Sequence, residues 1–314
     1  MTFDTILLFI ILIVGTVLLV VSSEQAVEHS ISIAKEWGAP QLLTGLVLVS
    51  LGTDLPEIMS AMVSCAANHA VIGLGGALGS ALTQMTLVMG LLPFLVGEFR
   101  VKRGAIIFLG ACEVLALVVV VSMAEKGYFT RTNAVLLLAT WPILMFLTRI
   151  CITAQENESE DHAPQRERHL RHIPYVALSF LGVAAGAYML VQSVIELSAF
   201  FHVSEFLISF FLLSIGTSLP ELAVDTLALR RGQNELAIGD LIGSSIIDVT
   251  VVVGIGQFFC TSTIPSELVT TTGLYSIIAS TIVVLTAALR EKIDRKAGAL
   301  FIVLYLISYI TLVF

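Results

Sequence analysis

Apolar residues run along this chain in stretches of about twenty, separated by short polar connectors. Ten stretches can be placed, near residues 3–22, 39–67, 70–96, 104–123, 132–152, 174–199, 204–230, 235–259, 268–289 and 297–314. A helix needs roughly 20 apolar residues to cross a bilayer, so the pattern predicts ten transmembrane helices. The first run, Thr5 to Val21, lacks the basic start of a secretory signal and reads as a retained first helix. The second, third, seventh and eighth runs are interrupted by Gly and Pro. The longest polar connector, Gln155 to His172, divides a single transmembrane domain (1–314) into a first half (1–153), a linker (154–173) and a second half (174–314), with five spans on each side.

Composition sharpens the class. The chain is 57% hydrophobic and 13% charged, with a mean hydropathy of +0.96. A soluble chain carries about 25% charged residues, so this is a multi-pass protein of the cell membrane, with the lipid bilayer as its main surroundings. The six histidines show no metal spacing. The four cysteines, Cys65, Cys112, Cys151 and Cys260, are far apart in sequence and read as small buried apolar residues rather than disulfide or zinc partners. The linker's Glu156, Glu158, Glu160 and Asp161 lack the central glycine and terminal glutamate of a calcium loop and read as a solvated connector. No nucleotide-binding fingerprint is present, so the reading has no nucleotide or nucleic-acid partner, no cofactor, no implied protein partner and no enzymatic activity.

Basic residues predict orientation. With the N-terminus outside, all of the sixteen Lys and Arg except Lys126 and Arg131 fall on the inner side, which the positive-inside rule favours. The prediction is N-out and C-out, with the linker in the cytoplasm. Five spans per half is an odd number, so the second half enters the membrane upside down. The expected fold is therefore all-α, ten helices as two inverted five-helix repeats. Transporters built this way bind their substrate near the midplane on discontinuous helices.

The sequence repeats as well. Residues 45–90 align with 209–254 at a constant shift, without gaps, and share Leu48, Ser50, Gly52, Thr53, Leu55, Pro56, Glu57, Gly75, Gly79, Ser80, Thr86, Val88 and Gly90. Each copy places a glutamate, Glu57 or Glu221, within an apolar run, where a charge costs roughly 3 kcal/mol even on insertion scales. Proline cannot donate to a helix ladder, so Gly52-Thr53-Asp54-Leu55-Pro56-Glu57 and Gly216-Thr217-Ser218-Leu219-Pro220-Glu221 should each split a span and free carbonyls near Ser50 to Thr53 and Ser214 to Thr217. Ser218 to Glu221 also fits a helix capping box, and Asp54 to Glu57 resembles one. Further along, Ser80 and Gln84, and likewise Ser244 and Asp248, are four apart and share a helix face. All these groups offer oxygen, which suits hard cations such as Ca2+ or Na+ rather than Zn2+ or Cu2+. Small-residue helix packing accounts for the glycines but not for Asp248.

Other acids are less clearly placed. Asp225 follows Glu221 by one turn where the first half has Ala61, and Asp240 matches Gly76. Either lines an access path or sits at interfacial depth, paired with Arg230, Arg231 or a loop group; for Asp240 the interfacial reading comes first. Glu113 and Glu196 lie on other spans with no constellation around them.

These residues resemble the cation/calcium exchanger superfamily, whose two repeats carry G-T-S-x-P-E and G-S-N motifs; the Thr-Ser-Leu-Pro-Glu form is most like prokaryotic sodium/calcium exchangers. The resemblance implies that the second, third, seventh and eighth helices surround a central site. It implies that Glu57 and Glu221 bind Ca2+, that Thr53 and Thr217 supply carbonyls, and that Ser50, Ser80, Ser214, Ser218, Ser244 and Asp248 line Na+ sites. Three departures stand out. Asp54 replaces the usual serine. Gln84 stands where relatives have Asn or Asp. Ala81 and Ser245 replace the asparagine of G-S-N, and Gly76 and Asp240 occupy a usual G-N pair.

The resulting expectation is a secondary antiporter exchanging Ca2+ for Na+ by alternating access, with the first pair of spans sliding or rocking against the helices that hold the site. A Ca2+/H+ exchanger or a K+-coupled exchanger on the same fold is the alternative. An intramembrane aspartyl protease lacks its Gly-x-Gly-Asp here, since Ile238 and Gly239 precede Asp240. A channel would show current independent of a counter-ion.

Overall fold

The computed structural model describes residues 2–36, 53–153, 172–260 and 263–313. Among them the chain forms ten helices. These are α1 (Thr2–Glu36), α2 (Leu55–Ala66), α3 (Ala70–Val96), α4 (Arg103–Ala124), α5 (Arg131–Thr153), α6 (His172–Phe201), α7 (Glu205–Arg230), α8 (Asn234–Phe259), α9 (Ser266–Arg290) and α10 (Arg295–Val313). Eight are long and apolar enough to cross a membrane. The part of the expected second span before Thr53 lies outside the described residues. α1 runs on to Glu36, well past the expected end near residue 22: polar Ser22, Ser23 and Glu24 fall within its stretch Ile6–Ala26, and the helix continues for ten residues beyond it.

Two apolar clusters divide the molecule. One joins α1 and α6 through Leu12, Leu19, Val183, Ala187, Leu190 and Val194, with Ile72 and Leu213 at its edge. Here small residues bring backbones together: a Cβ on Gly186 would stand 2.7 Å from the Leu19 nitrogen and 2.9 Å from the Gly15 oxygen. Close backbone approach of this kind is how helices associate where lipid removes the hydrophobic driving force. The larger cluster is built on α3, α4, α8, α9 and α10 around Leu78, Leu82, Met85, Leu117, Ile242, Ile246 and Phe301. The pair with its own cluster is thus the first span of each half, rather than the first two spans.

The connectors sort into two ends. At one, β1 (Phe99–Arg100) pairs antiparallel with β2 (Lys292–Ile293), and Asn234 Nδ2 donates to the Arg100 carbonyl at 3.2 Å. Lys292 meets Glu98 at 2.9 Å and Lys102 meets Glu235 at 2.5 Å in the same layer. At the other end, Tyr128 bridges Thr263 and His69 Nδ1 sits 2.8 Å from Glu205 Oε1. That end also carries a disulfide between Cys65 and Cys260, which corrects the reading of these cysteines as unpaired apolar residues. They are 195 residues apart, and their pairing depends on α2 and α8 ending side by side, which spacing alone does not reveal. Cys112 is buried and outside the disulfide, as expected.

Candidate ion-binding site

The two copies of the repeat break at the same point and in the same way. Asp54 and Ser218 precede the restarted helices with φ −85°, ψ 6° and φ −86°, ψ 5°. Each is followed by Leu-Pro-Glu and a twelve-residue helix, Leu55–Ala66 or Leu219–Arg230, with proline in the first turn. Proline is tolerated there because its missing N–H would be unpaired in any case. Neither the Asp54 nor the Ser218 side chain caps its helix, so the capping-box reading does not hold; the aspartate is turned elsewhere.

A second matched feature lies on α3 and α8. Each contains a π-helical turn, Thr83–Val88 and Asp248–Val252, at equivalent repeat positions. The extra residue in such a turn swings the side chains at its start, and π-turns gather at functional sites. Gln84 and Asp248 therefore face inward, each fully buried.

These four elements bring the acids together. Glu57 is 4% exposed, and Glu221, Asp54 and Asp248 are wholly buried. Glu221 lies within electrostatic reach of Glu57, Asp54 and Asp248, and Asp248 within reach of Glu57 and Asp54. Among the described residues, both carboxylate oxygens of Glu57, Glu221 and Asp248 lack a hydrogen-bond partner, as do both side-chain polar atoms of Gln84 and the hydroxyl of Ser218. The hydroxyls of Ser80 and Thr217, 3.3 Å from each other, stand beside Glu57 without reaching hydrogen-bond geometry. The Gln84 amide stands beside Asp248 in the same way. Ser244 donates to Asp54 Oδ2 at 3.4 Å, so Asp54 points across to the second repeat. Ser214 lies 3.2 Å from Thr83, which donates onward to Tyr305 at 3.5 Å.

Of the expected site residues, Glu57, Glu221, Thr217, Asp248, Gln84, Ser80, Ser244, Ser214, Asp54 and Ser218 all lie in this buried region. Thr53 is partly buried at the first break. Ser50 lies outside the described residues. Sequence reasoning missed Ser60, Thr83 and Tyr305. Ser60 is nearly one turn beyond Glu57, and its unpaired hydroxyl joins Glu57, Gly73, Gly76, Ala77, Leu213 and Thr217 around a cavity of ≈ 10 Å³, room for about one water-sized particle. That i, i+3 spacing was a legible signal; Tyr305 offered none. Glu113 was expected to stand alone, yet it accepts from Ser280 at 3.0 Å in the α4–α9 contact.

Buried, unpaired carboxylates this close together repel one another and have lost their water, so the arrangement is unfavourable unless a positive charge shares it. Among the described residues no group of three His, Cys, Asp or Glu side chains is tight enough to hold a metal unaided. A cation here would complete its shell from the hydroxyls of Ser80, Thr217 and Ser244 and from carbonyls at the breaks. An all-oxygen shell suits hard cations.

Comparison with known proteins agrees with this chemistry. A family profile described as "Sodium/calcium exchanger protein" matches residues 7–149 and 172–314. The chain belongs to this family. It is a multi-pass integral membrane protein of a family of exchangers, not of enzymes. Among its relatives is "Inner membrane protein YrbG" of Escherichia coli, 29% identical over 260 residues and 78% of each chain. "Sodium/calcium exchanger MaX1" of Methanosarcina acetivorans is 26% identical across 97% of this chain and 98% of its own. Among solved structures, the sodium-calcium exchanger NCX_Mj superposes with a TM-score of 0.61 at 26% identity, covering 98% of this chain and 99% of that one. The crystal structure of the H+/Ca2+ exchanger CAX gives 0.74 at 14% identity over 96% and 82%, a likeness of fold alone.

Proposed function

We propose that this protein is a secondary antiporter that carries Ca2+ one way and Na+ the other through the site between Glu57 and Glu221. The observation that carries the reading is the meeting of two repeat-related glutamates, buried and without hydrogen bonds, among the hydroxyls of both repeats. Ca2+ binds between the two carboxylates, and Na+ ions compete for the overlapping oxygens of Ser80, Ser214, Ser244, Asp248 and Gln84. The site crosses only when its charge is compensated, because bare carboxylates in a low-dielectric interior are costly. That penalty couples the two fluxes. The α1–α6 pair, packed as a separate cluster, moves against the other helices to give alternating access.

In this reading the halves are inverted and both termini face outside. The Cys65–Cys260 disulfide then falls on the outer face, where oxidising conditions preserve such bonds, and the β1–β2 end with its lysines and arginines falls inside. Coupling to H+ in place of Na+ is the second reading, favoured by Asp54, which adds a carboxyl where the resemblance leads one to expect a serine. Ca2+ uptake into proteoliposomes decides. An outward Na+ gradient at clamped pH should drive it; uptake that follows only a pH gradient replaces Na+ with H+, and uptake without any counter-ion gradient rejects antiport.

A further inference from the structure

The central site absorbs Glu57, Glu221, Asp54 and Asp248 and leaves Asp225 and Asp240, both in the second repeat, unused. Asp225 lies one turn beyond Glu221 on α7, about 6 Å along the axis, and is wholly buried. Asp240 lies on α8 four residues before Ser244 and eight before Asp248, so these three line one helix face over about 12 Å. Asp240 is partly exposed. It lies within electrostatic reach of Asp225 on one side and of Asp54 on the other. The acids thus form a continuous track from a partly exposed position into the central site, along the end of the molecule where α7 finishes at Arg230 and α8 begins at Asn234.

Among the described residues no cationic side chain pairs with this track. Both oxygens of Asp225 and one of Asp240 are buried without a hydrogen-bond partner, and neither residue pairs with Arg230 or Arg231. Pairing of these acids with Arg230 or Arg231, one form of the interfacial reading, therefore does not hold among the described residues. The equivalent positions in the first repeat are built oppositely. Ala61 and Gly76 are small and tightly packed; a Cβ on Gly73 would stand 2.8 Å from the Ala61 Cα, and one on Gly76 would stand 3.1 Å from Leu213. No acid fits there. The acidic track therefore belongs to one side of the site only.

We infer that Asp225 and Asp240, with Asp54 beyond them, form a second and weaker site for a hard divalent cation, which stages Ca2+ between the central site and the membrane face at the α7–α8 connection. The inference rests on the central site carrying Ca2+. Asp225 and Asp240 hold the ion more loosely than the central site, where four carboxylates gather. An exposed outer member lets water and ions reach it, and Asp54 hands the ion inward. A negative funnel of this kind raises local cation concentration and association rates by about tenfold or more.

Equilibrium binding of 45Ca2+ to the purified full-length protein at fixed pH and low Na+ tests this. The wild type should show a tight and a weak class of site. D225N/D240N should lose the weak class and keep the tight one, and the retained tight class reports that the variant is folded. D225A, which copies the first repeat, should weaken the same class. E221Q should do the reverse, losing the tight class and keeping the weak. In proteoliposomes of defined sidedness, D225N/D240N should raise half-saturating Ca2+ about tenfold from the α7–α8 face and leave the other face unchanged. A single class in the wild type, an unaltered weak class in D225N/D240N, or an equal change from both faces overturns the staging site. Retention of the tight class by E221Q would instead overturn the central-site reading and leave the result for Asp225 and Asp240 standing on its own.

Discussion

The two repeats share a backbone and differ in chemistry. Asp54 and Ser218 adopt the same dihedrals, the helices after them have the same length, and the π-turns on α3 and α8 fall at matching positions. Yet the first repeat has Asp54, Gln84, Ala61 and Gly76 where the second has Ser218, Asp248, Asp225 and Asp240. Proline and glycine set the break, and both copies keep them. The acids and hydroxyls that the break exposes are free to diverge, because the backbone does not depend on them. Duplication thus supplies a symmetric frame, and substitution makes its two sides unequal.

The comparison is broken most severely at the shared glutamates. Removing one partner from a buried charged site costs about 3–5 kcal/mol, so Glu57→Gln and Glu221→Gln should each reduce 45Ca2+ flux to background while the protein still elutes as a folded species. If only one of them does so, the repeats are not equivalent ligands.

The disulfide comes next. Substituting Cys65 and Cys260 with Ser should lower stability by about 2–4 kcal/mol, measured by thermal unfolding in detergent, and leave exchange in place. Loss of exchange with unchanged stability would mean that the covalent link between α2 and α8 belongs to the transport cycle.

Asp54 tests the asymmetry directly. Asp54→Ser makes the first break chemically identical to the second and removes the charged acceptor of Ser244, a hydrogen bond of about 1.5 kcal/mol. Apparent ion affinity should shift by about tenfold, or the pH dependence of exchange should change. If neither moves, Asp54 serves packing alone.

The smallest effect is expected far from the site. Asp294, in the loop before α10, accepts from the backbone N–H of Ala297 at 2.9 Å and pairs with Arg290 at 2.6 Å. The Ala297 N–H, then Arg290 and Lys292, hold its carboxyl below the usual range. Its contribution is therefore present above the ordinary carboxylate pKa and is lost as pH falls through the depressed one. Asp294→Ala should lower the unfolding temperature slightly at neutral pH, and the difference from wild type should vanish in acid.

Much of the site was legible because lipid makes exceptions conspicuous. A glutamate after Leu-Pro in an apolar run has few structural explanations, and finding it twice leaves fewer. Ten of the twelve expected ligands fall in one buried region for that reason. Ser60 was readable from its i, i+3 spacing to Glu57. Thr83 and Tyr305 were not readable, since Thr83 meets Ser214 across 131 residues of chain and Tyr305 across 222. The cysteines misled because wide separation in sequence says nothing about which helix ends become neighbours.

By itself the sequence determined the membrane class, the approximate placing of the eight helices long and apolar enough to cross a membrane, the Leu-Pro-Glu helix starts and the residue types available to a cation. These follow from local physics: the bilayer penalises polar groups along each segment, and proline removes a donor wherever it stands. Only the tertiary structure decided that Asp54 crosses to Ser244, that Cys65 meets Cys260, that α1 pairs with α6, and that Asp225 and Asp240 are left without partners. Each of these depends on which helix faces lie against one another, and that is set by packing between segments far apart in the chain.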